Sequence, residues 1–232
     1  MGTDGQTDEA RAGEMRFAAI DFEIACGARI SACSLGIAVV EDGAIVRRKE
    51  WLIRPASPYF SPFNIEVHGI TPEMVAGSPE FDSLWPEIER EIGDLTLVAH
   101  NAAFDMGVLR ATLAHYDVWC QRMPFLCSCA LSRKCWPELR GHSLGALARE
   151  FGMSFRNGLG LHNAEEDAVA SALVVLRAAE EYSAESVEEL LERTMIRFGE
   201  VSTGKYVSCR RIPIPQKRVR KKLVYVPEEA AD

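Results

Sequence analysis

Hydrophobic and polar positions change period several times along the chain. Residues 16–24 (RFAAIDFEI) are almost continuously apolar, the pattern of a strand buried on both faces. Residues 35–40, the turn EDG, and residues 44–53 predict a hairpin. Pro55, Pro58 and Pro62 mark a loop. Phe81, Leu84, Trp85, Ile88 and Ile92 then recur at helical spacing over residues 79–92. Residues 95–99 (LTLVA) predict a short buried strand, 102–116 a helix and 123–129 a fifth strand. Helices follow over 143–151, stopped by Gly152, and over 164–182 and 186–198. Three strands in succession, then strands alternating with helices, predict an α/β sandwich with a mixed sheet: an antiparallel hairpin beside parallel strands.

The ends of the chain do not follow these patterns. Residues 1–15 are polar and predict a disordered tail. Residues 16–200 hold the periodic segments and form one domain. Residues 201–232 predict a basic C-terminal arm: between Lys205 and Lys222 there are eight Lys or Arg and no Asp or Glu, with Pro213 and Pro215 favouring extended chain.

Composition narrows the class. An apolar fraction of 47% fills a core, and a net charge of −8 excludes a basic coat over the whole surface. The first residues lack the apolar stretch of a secretory signal, Gln6 stands where a myristoylation signal has Ser or Thr, and no apolar run is long enough to span a bilayer. With seven cysteines, an odd number, the expectation is a reduced, cytoplasmic protein without a membrane partner. Cys120, Cys127, Cys129 and Cys135 lie near His115 and His142 but lack the C-x2-C spacing of a zinc knuckle. They are expected to pack as small hydrophobes.

Asp21 and Glu23 interrupt the most apolar strand. Two residues apart, they point to one face of the sheet. Two unpaired carboxylates there would repel each other, and each costs several kcal/mol to desolvate. Either the pair caps an exposed strand end or a cation lies between them. Hard divalent cations take oxygen ligands, and Asp105 and Asp167 can complete such a site. Four carboxylates match two Mg²⁺ ions in charge, and paired ions are a recurrent apparatus for displacement at phosphorus.

Asp105 and Asp167 end two similar hexapeptides, HNAAFD (100–105) and HNAEED (162–167). With Asn101 and Asn163 as N-caps, each Asp is the fourth helical residue and lies beside the histidine before the cap. Glu166 could also close a capping box. Both copies also read as ordinary helix starts with an acidic first turn. They are not a repeat: the first follows the strand LTLVA and the second a glycine-rich loop, RNGLGL. His162 therefore leaves a loop, free to approach a water, whereas His100 closes a strand.

Taken together these residues resemble the DEDDh 3′→5′ exonucleases, the group of the proofreading epsilon subunit of bacterial DNA polymerase III. Asp21 and Glu23 match its D-x-E motif, Asp105 its H-N-x-x-F-D motif, and His162 with Asp167 its H-x-x-x-x-D motif. VHGIT at 67–71 and HSLGALAREFGM at 142–153 resemble connecting segments of the family. The likeness runs from Phe17 to Tyr182. It implies a ribonuclease-H-like fold with a five-stranded mixed sheet flanked by helices, and two Mg²⁺ or Mn²⁺ ions on Asp21, Glu23, Asp105 and Asp167. It implies that His162 is the general base, with Glu23 orienting the water. An imidazole's ordinary pKa of about 6.5 suits that task. Ile24, Ala25, His68 and Phe104 would line the pocket for the terminal nucleotide. The implied activity is hydrolysis of single-stranded DNA from its 3′ end to nucleoside 5′-monophosphates. RNA trimming, short-oligonucleotide clearance and an inactive nucleic-acid binding module are the alternatives. Implied partners are single-stranded DNA or RNA 3′ ends and a polymerase or repair protein. Two features depart from the family. The segment after Glu23, IACGARISACSLG, lacks a Thr-Thr-Gly turn, and Ser128-Cys129 replaces an Asp-Thr pair.

Overall fold

The computed structural model describes residues 14–156 and 162–212. Its nine strands are β1 (Phe17–Ile24), β2 (Ala32–Glu41), β3 (Ala44–Leu52), β4 (Leu97–Ala99), β5 (Met123–Cys127), β6 (Ile196–Arg197), β7 (Gly199–Ser202), β8 (Lys205–Val207) and β9 (Arg210–Arg211). Seven form one sheet in the order β3-β2-β1-β4-β5-β7-β8, and β6 and β9 form a separate two-stranded ribbon. β2 and β3 form the expected antiparallel hairpin, β1 pairs antiparallel with β2, and β1, β4 and β5 run parallel. β7 is antiparallel to β5 and β8 to β7, so the mixed sheet has seven strands rather than five.

The described residues form eight helices, α1 (Pro62–His68), α2 (Pro72–Val75), α3 (Phe81–Ile92), α4 (Asp105–His115), α5 (Ser128–Cys135), α6 (Leu144–Glu150), α7 (Ala164–Glu181) and α8 (Val187–Thr194). Alternation along β1 sorts the two faces of the sheet. Ala18, Ile20 and Phe22 pack with residues of α3 and α4, and Phe17 and Ala19 with residues of α7 and α8. Asp21 and Glu23 continue the α7 side. A smaller cluster of Ala25, Cys33, Phe60, Ile70 and Val75 lies beneath α1 and α2.

Several sequence expectations change. The proline-marked segment contains α1 and α2, each with Pro at its first position, where the missing N–H has no intrahelical partner to lose. The fifth strand ends at Cys127 because α5 begins at Ser128. α8 stops at Thr194, where Met195 takes a left-handed conformation (φ 56°), and the chain turns into β6. The basic arm is not a free extension from Lys205: β8 pairs with β7 and β9 with β6. Most of the N-terminal tail (1–13), the core of the glycine-rich loop (157–161) and the arm beyond Ile212 lie outside the described residues. Among the described residues, no helix is long and apolar enough to cross a membrane.

Candidate active site

β1 outruns its neighbour. β4 pairs only with Ala18 and Ala19, so the later residues of β1 have no strand on that side. The Phe22 N–H, released from the ladder, donates to Asp105 Oδ1 at 3.1 Å. This bond ties the start of α4 to the carboxyl end of β1. That end lies where the strand order reverses, between β1 and β4, the usual place for a ligand in an open α/β sheet.

α7 reaches the same point from the other side. A Cβ built at Gly36 of β2 would meet the Ala164 carbonyl oxygen at 2.0 Å, so only glycine lets the first turn of α7 lie against the sheet. Asn163 caps the helix, its side-chain oxygen accepting the Glu166 N–H at 3.1 Å. The Asn163 amide donates to Glu50 Oε2 at 3.1 Å, and Ser34 Oγ donates to Glu50 Oε1 at 2.6 Å. Arg48 pairs with both Glu165 and Glu166. Glu166 is thereby drawn to β3, and the structure has no return bond to the cap residue. Arg48 and Glu50 were not singled out by sequence, where residues 44–53 read only as one strand of a hairpin.

The two hexapeptides differ locally. In the second, His162 is left-handed (φ 75°) and its backbone N–H donates to Asp167 Oδ2 at 3.1 Å. In the first, Asn101 takes the left-handed conformation (φ 59°), makes no side-chain cap, and a turn over 100–104 precedes α4. His100 then points away from Asp105: its Nδ1 is 2.9 Å from Ser128 Oγ and its Nε2 is 2.8 Å from the His142 carbonyl. Burial holds the His100 ring below the ordinary histidine pKa. The expectation that each copy sets its His beside its Asp holds only for the second.

Asp21, Glu23, Asp105 and Asp167 converge, with His162 beside them. Ligand atoms of Glu23, His162 and Asp167 lie within 4.8 Å of one another. Every carboxyl of the four is pushed up, first by burial; repulsion within the group adds to this at Asp21, Glu23 and Asp105, and the Glu166 charge adds to it at Asp167. Glu23 rises to about 8, chiefly by burial and then by the Asp167 and Asp105 charges. Asp105 rises to about 7 and Asp167 to about 6, again mainly by burial. Asp21 is raised well above the usual range, with Asp105, Asp167 and Glu23 all contributing. Asp105 Oδ2 and Asp167 Oδ1 are buried without a hydrogen-bond partner. Orphaned carboxylate oxygens among mutually repelling acids fit divalent cations held by these four residues, since a cation supplies the missing partner and cancels the repulsion.

Ile24 and Phe104 are partly exposed and pack on the same core cluster. His68 sits behind Ile24. Its Nδ1 accepts the Ile70 N–H at 3.0 Å, which leaves Nε2 to donate to the Ile24 carbonyl at 3.2 Å. Asn64 donates to the same carbonyl at 2.8 Å. Ala25 does not line the pocket. Its side chain is fully buried, its N–H bonds Ser31 and its carbonyl bonds Ser61, so it anchors the strand end from below. A recess of about 1060 Å³ between the β2–β3 turn, α6 and the C-terminal half of α7 holds none of these residues.

A family model described as an exonuclease, RNase_T, matches residues 18–175. The chain belongs to this exonuclease family. It is 32% identical over 143 residues to the DNA polymerase III epsilon subunit of Aquifex aeolicus, covering 61% of the chain and 68% of that protein. It is 33% identical over 138 residues to the PolC-type DNA polymerase III of Halalkalibacterium halodurans, covering 60% of the chain but only 9% of that much longer protein. A solved structure of exonuclease X in complex with 5′-overhanging duplex DNA superposes with a TM-score of 0.60 at 28% identity, covering 77% of the chain and 99% of that structure. The ribonuclease-H-like fold and the likeness to DEDDh exonucleases expected from sequence thus stand, on a sheet with two more strands.

Proposed function

We propose that the chain is a divalent-metal-dependent 3′→5′ exonuclease that acts on single-stranded DNA ends and releases nucleoside 5′-monophosphates. The observation that carries this reading is the group of four carboxylates, Asp105 and Asp167 buried and Asp21 and Glu23 half-buried, all raised in pKa, with one exposed histidine beside them. Mg²⁺ or Mn²⁺ held by Asp21, Glu23, Asp105 and Asp167 would supply positive charge to polarise the phosphodiester and offset the charge that develops on it. Glu23 accepts a hydrogen bond from the attacking water, and an imidazole nitrogen of His162 takes its proton. The water oxygen bonds to phosphorus as the P–O3′ bond breaks, and the departing O3′ takes a proton from solvent, which leaves a 5′-monophosphate and a new 3′-hydroxyl on the shortened strand. Ile24 and Phe104 offer apolar surface for the terminal base. The His162 backbone N–H, bonded to Asp167, ties His162 to the carboxylate group.

RNA is the second substrate class of this reading, and a polymerase or repair protein remains a proposed partner. One assay separates the options: 5′-labelled single-stranded DNA and RNA of equal length, incubated with Mg²⁺, Mn²⁺ or EDTA. A ladder of single-nucleotide steps on DNA, abolished by EDTA, is expected. A ladder on RNA alone moves the substrate to RNA, and no ladder on either sinks the enzymatic reading.

A further inference from the structure

The β6–β9 ribbon places like charges face to face. Arg197 on β6 is the direct antiparallel partner of Arg210 on β9, and Arg211 lies beside them opposite Ile196. All three arginines are exposed, and with Ile212 they line a recess of about 240 Å³. Like charges opposite each other weaken a strand pair. Arg47, Arg48, Arg54, Arg122 and Arg193 each face a carboxylate within 4.0 Å. Among the described residues, Arg197, Arg210 and Arg211 have no such partner. In a chain of net charge −8 this is an uncompensated positive site held in a fixed frame.

The ribbon and the acidic site share one edge of the sheet: β7 runs antiparallel to β5 with Gly199 opposite Phe125, so β6, just before it, lies past the carboxyl end of β5, two strands from β1. Arg211 and Arg133 of α5 both bear on the His142 ring, with Glu138 the opposing charge there. The His142 carbonyl is bonded by His100, and His100 leads into the turn that delivers Asp105.

We propose that Arg197, Arg210 and Arg211 bind backbone phosphates of the substrate strand upstream of its 3′ end. The proposal rests on the exonuclease reading, since that reading brings a polyanion to the neighbouring site. Guanidinium groups match phosphate in two-point hydrogen bonding, and three side by side suit a chain of phosphates better than a lone anion. The contact is independent of sequence and sensitive to salt.

The test uses the full chain in EDTA, which prevents cleavage, and a fluorescein-labelled 20-mer oligodeoxynucleotide followed by anisotropy at several salt concentrations. R197Q/R210Q/R211Q is expected to weaken binding at least tenfold at low salt. The log Kd against log salt slope should fall by about 2, as the loss of three phosphate contacts on a single strand predicts. Arg122→Gln, at an exposed arginine paired with Glu200, should change neither. The triple variant also removes the facing charges and should melt no lower than the parent, which shows that its weaker binding is not unfolding. Equal affinity and slope in the triple variant overturn the proposal and leave another polyanion, such as an acidic protein, as the ligand. Failure of the parent protein to shorten DNA or RNA with Mn²⁺ would instead sink the exonuclease reading, and the anisotropy result would still be legible.

Discussion

The two histidines of the HNAxxD pairs carry the sharpest contrast at the scale of single residues. His162 is exposed beside Glu23 and Asp167, whereas His100 is committed to Ser128 and the His142 carbonyl. His162→Ala is expected to lower kcat by about 10²–10⁴, the usual worth of a general base, while Mn²⁺ binding by calorimetry stays near that of the parent. His162 occupies a left-handed conformation, which Asn tolerates better than Ala. His162→Asn therefore removes the ring with less backbone cost and should be equally inactive. His100→Ala should leave kcat within about tenfold but destabilise the fold by ~1–3 kcal/mol, because two partners lose their hydrogen bond in a largely buried place. The reverse ranking in kcat would move the base to the first hexapeptide. The five residues that the structure brings together were legible in the sequence because carboxylates in an apolar strand and Asp at a helix start violate or exploit local rules. The different roles of the histidines were legible only from their flanks. The backbone detail behind them, a left-handed residue at Asn101 in one copy and at His162 in the other, follows from tertiary contacts that the shared H-N-A-x-x-D pattern does not encode.

At the scale of elements, the site depends on how closely α7 approaches β2. Gly36→Ala would drive a Cβ into the Ala164 carbonyl, and backbone cannot give way as a side-chain tip can. The helix start must shift, carrying Asp167 and His162 with it. A loss of ~1–3 kcal/mol is expected from overpacking, together with a fall in kcat of at least tenfold. Gly77→Ala, where a Cβ meets nothing within 4 Å, is the control and should retain both. Parental kcat in a folded Gly36→Ala protein would mean that the approach of α7 does not set the site. Strands and long helices could be read from periodicity, and Asn163 was legible as a cap. α1 and α2 were missed although Ser61-Pro62 and Thr71-Pro72 each place Pro at a first helical position. These helices are short and amphipathic at best, so punctuation, not period, was their signal. Arg48 and Glu50 were out of reach. Charged residues on an outer strand look solvated until the partner helix, more than a hundred residues later, is seen to lie on them.

For the whole molecule, the acidic group makes folding, protons and metal compete. Burial raises the carboxyl of each member, Glu23 to about 8, Asp105 to about 7 and Asp167 to about 6. At pH values below the unfolded carboxyl pKa, about 4, both states hold these protons and the metal-free fold has its full stability. As pH rises toward 8 the unfolded chain releases them more readily, so the metal-free fold loses stability. Bound cations reverse the preference, because they favour the ionised carboxylates. In EDTA the melting temperature should therefore fall between pH 5 and pH 8. A net loss of ~2 kcal/mol corresponds to about 4–8 °C for a domain of this size. Adding Mn²⁺ should raise it more at pH 8 than at pH 5. Asp105→Asn removes one buried charge and should flatten the fall in EDTA while weakening the response to Mn²⁺. Titration elsewhere in the protein affects parent and variant alike, so the difference between their pH slopes isolates the acidic group. Identical slopes would show that these carboxylates do not carry the charge strain assigned to them. The metal reading would then lose its physical basis, even with every motif residue in place.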